Sequence, residues 1–180
     1  FGGYCSLLAI IDDINFKENE TVLLPSYLCS SILRPFDARR VKYDFYKIDN
    51  NLTPDIQHIK QLLNGTTKGI VIIDYMGKSQ IDNVMPCKDM LSKQGVKIVQ
   101  DCVQTISINA HQVYGDYVFN SFRKTTPFEG SVILSKTKMK IAYARGMHCK
   151  FIFYKRIGQI LRYFHLHYNY FKPKLFLSFI

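Results

Sequence analysis

Residues 69–101 read GIVIIDYMGKSQIDNVMPCKDMLSKQGVKIVQD. Gly69 to Tyr75 is a nearly continuous apolar run, the pattern of a strand buried on both faces of a parallel sheet. Asn83 to Gln94 predicts a helix that ends at Gly95, and Val96 to Asp101 predicts a second buried strand. A strand, a helix and a strand at this spacing make a right-handed crossover. In such sheets ligands gather beyond the carboxyl ends of the strands, and Asp101 stands at one of those ends.

The flanking sequence continues the alternation. Cys5 to Ile14 (CSLLAIIDDI) predicts a helix, Thr21 to Leu24 a short strand closed by Pro25, and Val41 to Tyr46 (VKYDFY) a strand with a period of two. Thr53-Pro54-Asp55 predicts a helix start, with Thr53 as the N-cap, proline in the first turn and an acid near the positive end of the helix dipole. That helix would run through Ile56, Ile59, Leu62 and Leu63 and stop at Asn64-Gly65. Tyr117 to Phe122 and Ser131 to Leu134 predict two more strands, with Lys124 in the loop between them. The whole reads as an α/β layered domain.

The chain has 180 residues, of which 47% are hydrophobic and 14% aromatic. That is enough for one ordinary domain with a filled core, and it excludes a disordered chain. The net charge of +10 lies in the tail. Residues 1–135 balance 14 Lys/Arg against 14 Asp/Glu, whereas residues 136–180 hold ten Lys/Arg and no acid, so we place a boundary near Ser135. Five cysteines, with no Cys-x-x-Cys pair among them, suggest reduced thiols rather than a disulfide framework or a zinc site. No apolar run is long enough for a membrane span and no leader pattern opens the chain, so the expected location is the cytoplasm. Phe1 in first place leads us to expect an N-terminally shortened domain over residues 1–135.

Three features could carry chemistry. Lys124 lies in SFRKTTPFEG, in a loop flanked by Ser121, Arg123, Thr125 and Thr126, although a lysine taken alone is usually plain surface. Asp101 ends an apolar strand, where an unpaired carboxylate is costly to bury; alone, it reads equally as a cap or a structural hydrogen bond. Gly2-Gly3-Tyr4 precedes the first helix, and bare backbone amides at a helix start attract anions. Most glycine pairs are simple turns.

Order and spacing connect the three. GGYCSL (Gly2 to Leu7), LLPSYLCSS (Leu23 to Ser31), DYMGKS (Asp74 to Ser79), QDCVQ (Gln100 to Gln104), GDYVFNSFRK (Gly115 to Lys124) and FEGSVIL (Phe128 to Leu134) follow one another in the chain. Together they resemble the motifs of the DegT/StrS family of fold-type I aminotransferases. These are its phosphate loop, its Pro-x-aromatic and Tyr-x-Gly strand ends, its Glu-Asp-x-x-Gln/His acid motif, its Gly-Asp pair leading into Ser-Phe-x-Lys, and a glycine turn.

The resemblance implies a three-layer α/β/α large domain with a mostly parallel sheet, and pyridoxal 5'-phosphate (PLP) as cofactor. It also implies transfer of an amino group from an amino acid donor to a nucleotide-linked keto sugar, in amino-sugar or surface polysaccharide biosynthesis. Such chemistry needs a lysine for the Schiff base, an acid at the pyridine nitrogen and a cradle for the phosphate. Carried over by position, Lys124 forms the Schiff base and moves the substrate's α-proton, and Asp101 pairs with the pyridine nitrogen. Gln104 lies near the phenolic oxygen of the ring, while Gly3, Tyr4 and Ser121 hold the phosphate. Arg123 is open between lowering the lysine pKa, a phosphate contact and a surface position.

The sequence departs from the family pattern at several places. Gln100 replaces the usual Glu, Tyr4 stands where the loop has Thr, and Ser121 is closer to Lys124 than is common. The position of the aromatic that stacks on the ring falls on Cys29, with Tyr27 as the other candidate. The family's sugar dehydratases carry histidine in place of the lysine, so Lys124 favours transfer.

Family members are longer. They carry a small C-terminal domain and work as homodimers, so a non-catalytic PLP-binding or scaffold fragment is the alternative reading. The tail, residues 136–180, interleaves cations and aromatics. Phe153, Ile157, Ile160, Leu161 and Phe164 recur at helical spacing, predicting an amphipathic helix packed on this domain or leading toward a further one. A nucleic-acid or membrane-surface role is the alternative; the expected partners are the sugar nucleotide, the amino donor and a second subunit, without nucleic acid or a membrane span.

Overall fold

The computed structural model describes residues 2–122, 130–140 and 149–168. Its contacts divide the chain into two units, Phe1–Ile141 and Ala142–Ile180.

In the first unit the elements run α1 (Gly3–Ile14), β1 (Thr21–Pro25), α2 (Leu33–Ala38), β2 (Lys42–Tyr46), α3 (Ile56–Leu62), β3 (Thr67–Ile73), α4 (Ile81–Lys93), β4 (Lys97–Asp101), β5 (Tyr117–Ser121) and β6 (Ser131–Ser135). Among the described residues six strands form one sheet in the order β2-β1-β3-β4-β5-β6. The first five are parallel, and β6 pairs antiparallel with β5.

Because successive strand side chains point to opposite faces, the apolar strands feed two cores. Val22, Leu24, Val71, Ile73, Val99, Tyr117 and Phe119 pack with Leu7, Ile10 and Ile11 of α1 and Phe36 of α2. Leu23, Tyr46, Ile70, Ile72 and Ile98 pack on the other side with Ile59 of α3 and Val84, Cys87 and Leu91 of α4. Each fully buried Leu or Ile contributes about 1.5–3 kcal/mol over leaving it in water, so both layers are tied to the sheet and the three-layer expectation stands.

One helix start differs from expectation. The N-cap of α3 is Asp55, whose side chain accepts the His58 amide, rather than Thr53. Upstream, the Asp49 carboxylate gathers the amides of Asn51 and Thr53 into a turn, and Pro54 forms an isolated bridge with Ile48. Residues 53 and 54 are thus held extended or turned, and the helix begins only after Asp55.

In the second unit α5 spans Cys149–Tyr168, over the stretch whose spacing predicts a helix. Phe153, Ile160 and Phe164 are exposed on it, and Tyr163 stacks on His167 with ring centroids 4.2 Å apart. Among the described residues no helix is long and apolar enough to cross a membrane, and no cluster of His, Cys, Asp or Glu could hold a metal ion.

Candidate active site

Two of the candidate residues, Asp101 and Ser121, lie at the carboxyl ends of β4 and β5, on the sheet face that carries α1. Register sets this up: Asp101 pairs with Phe119 across β4 and β5, and Ser121 lies two residues further along β5. Side chains at Val99 and Asp101, and at Phe119 and Ser121, share a face by the strand period. Val99 and Phe119 belong to the core packed against α1. Asp101 and Ser121 are both buried.

The start of α1 is pressed into this corner. Gly2 is its N-cap, with φ of 86° and no side-chain cap among the described residues. A Cβ on Gly2 would lie 3.3 Å from the Ser121 hydroxyl, and one on Gly3 would lie 3.3 Å from Val103 Cγ2 and 3.4 Å from the Phe119 ring. Glycine is favoured at Gly2 by its positive φ, and at both positions a Cβ would make a contact tight enough that the neighbouring side chains must shift. Within α1 the amides of Cys5 and Ser6 already donate to the Gly2 carbonyl. The amides of Gly3 and Tyr4 come too early in the helix to find an acceptor within it, so they and the helix dipole present positive potential beside Ser121.

Val103 joins the helix start to the acid. Its amide donates to Asp101 Oδ1 at 2.8 Å, while its side chain meets Gly3. Tyr75, buried at the end of the adjacent strand, completes this wall. Its hydroxyl donates to the Tyr27 carbonyl, and the two rings lie 5.8 Å apart at 42°. Burial first, then the Asp101 carboxylate and Tyr27, push the Tyr75 phenol well above its usual pKa, which keeps it a donor.

The structure therefore brings Gly3, Asp101 and Ser121 together. Gln104 is exposed, and its Oε1 accepts the Met76 amide at 2.8 Å, tying the loop after β4 to the turn at Tyr75–Gly77. Tyr4 lies in the first turn of α1 and is 42% exposed. Cys29 is exposed at the start of the Ser30–Ile32 turn, where its sulfur accepts the Ser31 hydroxyl at 3.2 Å. Lys124 lies outside the described residues, three positions beyond Ser121.

The sequence motifs contain Tyr75 and Val103 without marking them. What marks them is contact across the fold, since Tyr75 and Tyr27 are 48 positions apart. The Gly-Asp pair proves to be a backbone crossing. A Cβ on Gly115 would fall 2.6 Å from the Tyr117 carbonyl and 2.9 Å from Gln100 Cβ. Asp116 accepts the Ile98 amide and the Lys136 ammonium, both at 2.9 Å.

The chain matches the DegT/DnrJ/EryC1/StrS aminotransferase family over residues 5–150. No curated protein matches its sequence. Among solved structures it is similar to an aminotransferase from Psychrobacter cryohalolentis at 17% identity and a TM-score of 0.63, covering 81% of this chain and 43% of that one. It is also similar to Helicobacter pylori PseC, an aminotransferase involved in the biosynthesis of pseudoaminic acid, at 18% identity and a TM-score of 0.66, covering 76% and 39%. The third is Escherichia coli GDP-4-keto-6-deoxy-D-mannose-3-dehydratase with bound hydrated PLP, at 18% identity and a TM-score of 0.64, covering 76% and 38%. At these identities the likeness establishes the fold. The chain spans about two-fifths of the length of these solved chains.

Proposed function

The chain belongs to the DegT/DnrJ/EryC1/StrS aminotransferase family, and from that premise we propose that the complete protein is a PLP-dependent aminotransferase. It moves an amino group from an amino acid donor to a nucleotide-linked keto sugar. Two of the similar structures support the substrate class: one protein serves pseudoaminic acid biosynthesis, and the other is named for a GDP-linked keto sugar.

The observation that carries the reading is the corner itself. A helix start with no side-chain cap among the described residues and two close-packed glycines, a serine hydroxyl and a buried carboxylate meet at the ends of two adjacent parallel strands. Those groups fit PLP. The amides of Gly3 and Tyr4 with Ser121 suit a phosphate dianion, and Asp101 suits a protonated pyridine nitrogen.

When bound, PLP supplies an aldehyde that captures amines and a ring that draws electrons from the bond being broken. The chain supplies the rest. Lys124 would hold the cofactor covalently and would move the proton at the substrate carbon. Asp101 keeps the ring nitrogen protonated. Tyr27, packed against Tyr75, is the aromatic candidate for stacking on the ring, since the family's usual stacking position holds Cys29. Gln104 braces the loop after β4, and its assigned partner is the ring's phenolic oxygen.

Borohydride reduction of the full-length protein with PLP, followed by peptide mapping, tests the reading. We expect a pyridoxyl group on Lys124, and labelling elsewhere or nowhere would end it.

A further inference from the structure

We infer that Asp74 is a positioning residue for Asp101, acting through the two residues that flank it in the chain. The inference rests on the role proposed above for Asp101.

Asp74 follows β3 directly, and its amide donates to the Asp101 carbonyl at 3.0 Å. Its Oδ2 accepts from Gln100 Nε2 at 2.8 Å and from the Cys102 thiol at 3.4 Å. Residues 100 and 102 turn to the face opposite Asp101, so a single carboxylate grips both neighbours of Asp101 from behind the sheet. Fixing both neighbours fixes the plane of the intervening backbone, and with it the direction in which the Asp101 side chain leaves β4.

The grip is itself anchored. Asp74 Oδ1 accepts the Gln80 amide at 3.1 Å and the Tyr114 hydroxyl at 2.8 Å. Gln100 is held at its far end, where Oε1 accepts the amides of Tyr114 and Gly115 while Nε2 also donates to the Gln112 carbonyl. Asp74, Gln80, Gln100, Cys102 and Tyr114 are all buried, and in low dielectric such bonds are stronger and their loss more costly. Burial, and then the Asp74 charge, push the Cys102 thiol and the Tyr114 phenol well above their usual values, so both stay protonated donors.

Hydrogen-bond polarity explains why residue 100 is a glutamine. It must offer an oxygen to two amides and an amide group to a carboxylate, which a glutamate beside Asp74 cannot do. The acid of this network therefore belongs on β3's end and its amide on β4.

The test uses the full-length protein with three readouts: the PLP dissociation constant, the nitrogen chemical shift of ring-labelled [15N]PLP, and Tm. Asp74→Asn sets an amide group against Gln100 Nε2 and loosens both neighbours of Asp101. It should weaken PLP binding by about 10–100-fold, the range seen when supporting partners of a ligating side chain are removed. It should also move the ring-nitrogen signal toward its unprotonated position. Asp74→Asn with Gln100→Glu restores a donor and an acceptor between residues 74 and 100, but sets an oxygen against the Gln112 carbonyl, so it should recover only part of both losses.

Tyr114→Phe removes a donor from the same carboxylate yet leaves residues 100 and 102 gripped, so it should lower Tm with the nitrogen signal unmoved. Equal changes in Tm for Asp74→Asn and Tyr114→Phe, with neither moving the nitrogen signal or the dissociation constant, would overturn the inference. Should Asp74→Asn fail to fold, Cys102→Ala releases one neighbour alone and should shift the nitrogen signal the same way by less; an unmoved signal there overturns it too. A wild-type protein that takes no pyridoxyl label and shows no protonated ring nitrogen sinks the proposed function instead, which separates the two failures.

Discussion

Two buried aspartates stand at the ends of neighbouring parallel strands, Asp74 beyond β3 and Asp101 at the tip of β4, and their surroundings are opposite in kind. Behind the sheet, Asp74 collects four donors from the protein itself, two on each oxygen. In front, Asp101 Oδ1 is set by the amide two residues on. Its carboxylate stands near the start of α1, where a Cβ on Gly2 or Gly3 would make a tight contact with Ser121 or Val103. Asp74 belongs to a network on the face away from α1, whereas Asp101 lies on the α1 face near Ser121 and the start of α1, the groups proposed above to meet the cofactor. The difference teaches which of two similar residues to assign to chemistry.

The sharpest way to break that distinction is to remove the front acid. Asp101→Ala in the full-length protein should lower kcat/KM on the order of 10²-fold or more, the scale for losing one preorganised electrostatic partner of a reacting group. Tm should fall far less than in Asp74→Asn. Steady-state rates beside thermal melts check this. If Asp101→Ala melts early while retaining turnover, the two aspartates have been assigned the wrong way round.

A smaller effect probes the crossing that holds the rear network in place. Gly115→Ala would drive a methyl group to 2.6 Å from the Tyr117 carbonyl and 2.9 Å from Gln100 Cβ. Both neighbours belong to paired strands and cannot retreat cheaply. We expect a loss of about 1–3 kcal/mol in urea unfolding, the usual cost of overpacking. An unchanged midpoint would mean that β4 and β5 can part at this point, and that the rear network is softer than its geometry indicates.

These contrasts also explain what could be read from the chain alone. β3 and β4 were legible because Gly69–Tyr75 and Val96–Asp101 are apolar runs bounded by turn residues, a local signal. The helix α2, Leu33–Ala38, carries Pro35 and spans six residues; it is held by Phe36 packing into the core, which no local pattern announces. Thr53 was a plausible cap until Asp49, four positions earlier, captured its amide. At the site, the glycine pair and Asp101 stood out because each is unusual where it lies. The link from Tyr75 to Tyr27 spans 48 positions, and that from Gln100 to Asp74 spans 26. Without the fold there was nothing to connect them.

The smallest effect lies at the opposite rim of β5, where charge is exposed rather than enclosed. Burial pushes the Asp116 carboxyl up, but the Lys136 hydrogen bond, the Ile98 amide and the charges of Lys136 and Lys97 outweigh it, and the group is held below its usual value. An acid whose pKa is lowered by folding adds stability above the unfolded pKa and loses it as the pH falls through the folded one. For Asp116 that loss falls below about pH 4, the ordinary carboxylate value. Lys136 is half exposed, so solvent screens the pair, and Lys136→Met should cost under about 1 kcal/mol at neutral pH. Urea midpoints for wild type and Lys136→Met should converge as the pH is lowered through that range, because protonating Asp116 removes from the wild type the attraction that the variant already lacks. A gap that persists undiminished into acid would assign the contribution of Lys136 to packing of its aliphatic stem and leave no role for its charge.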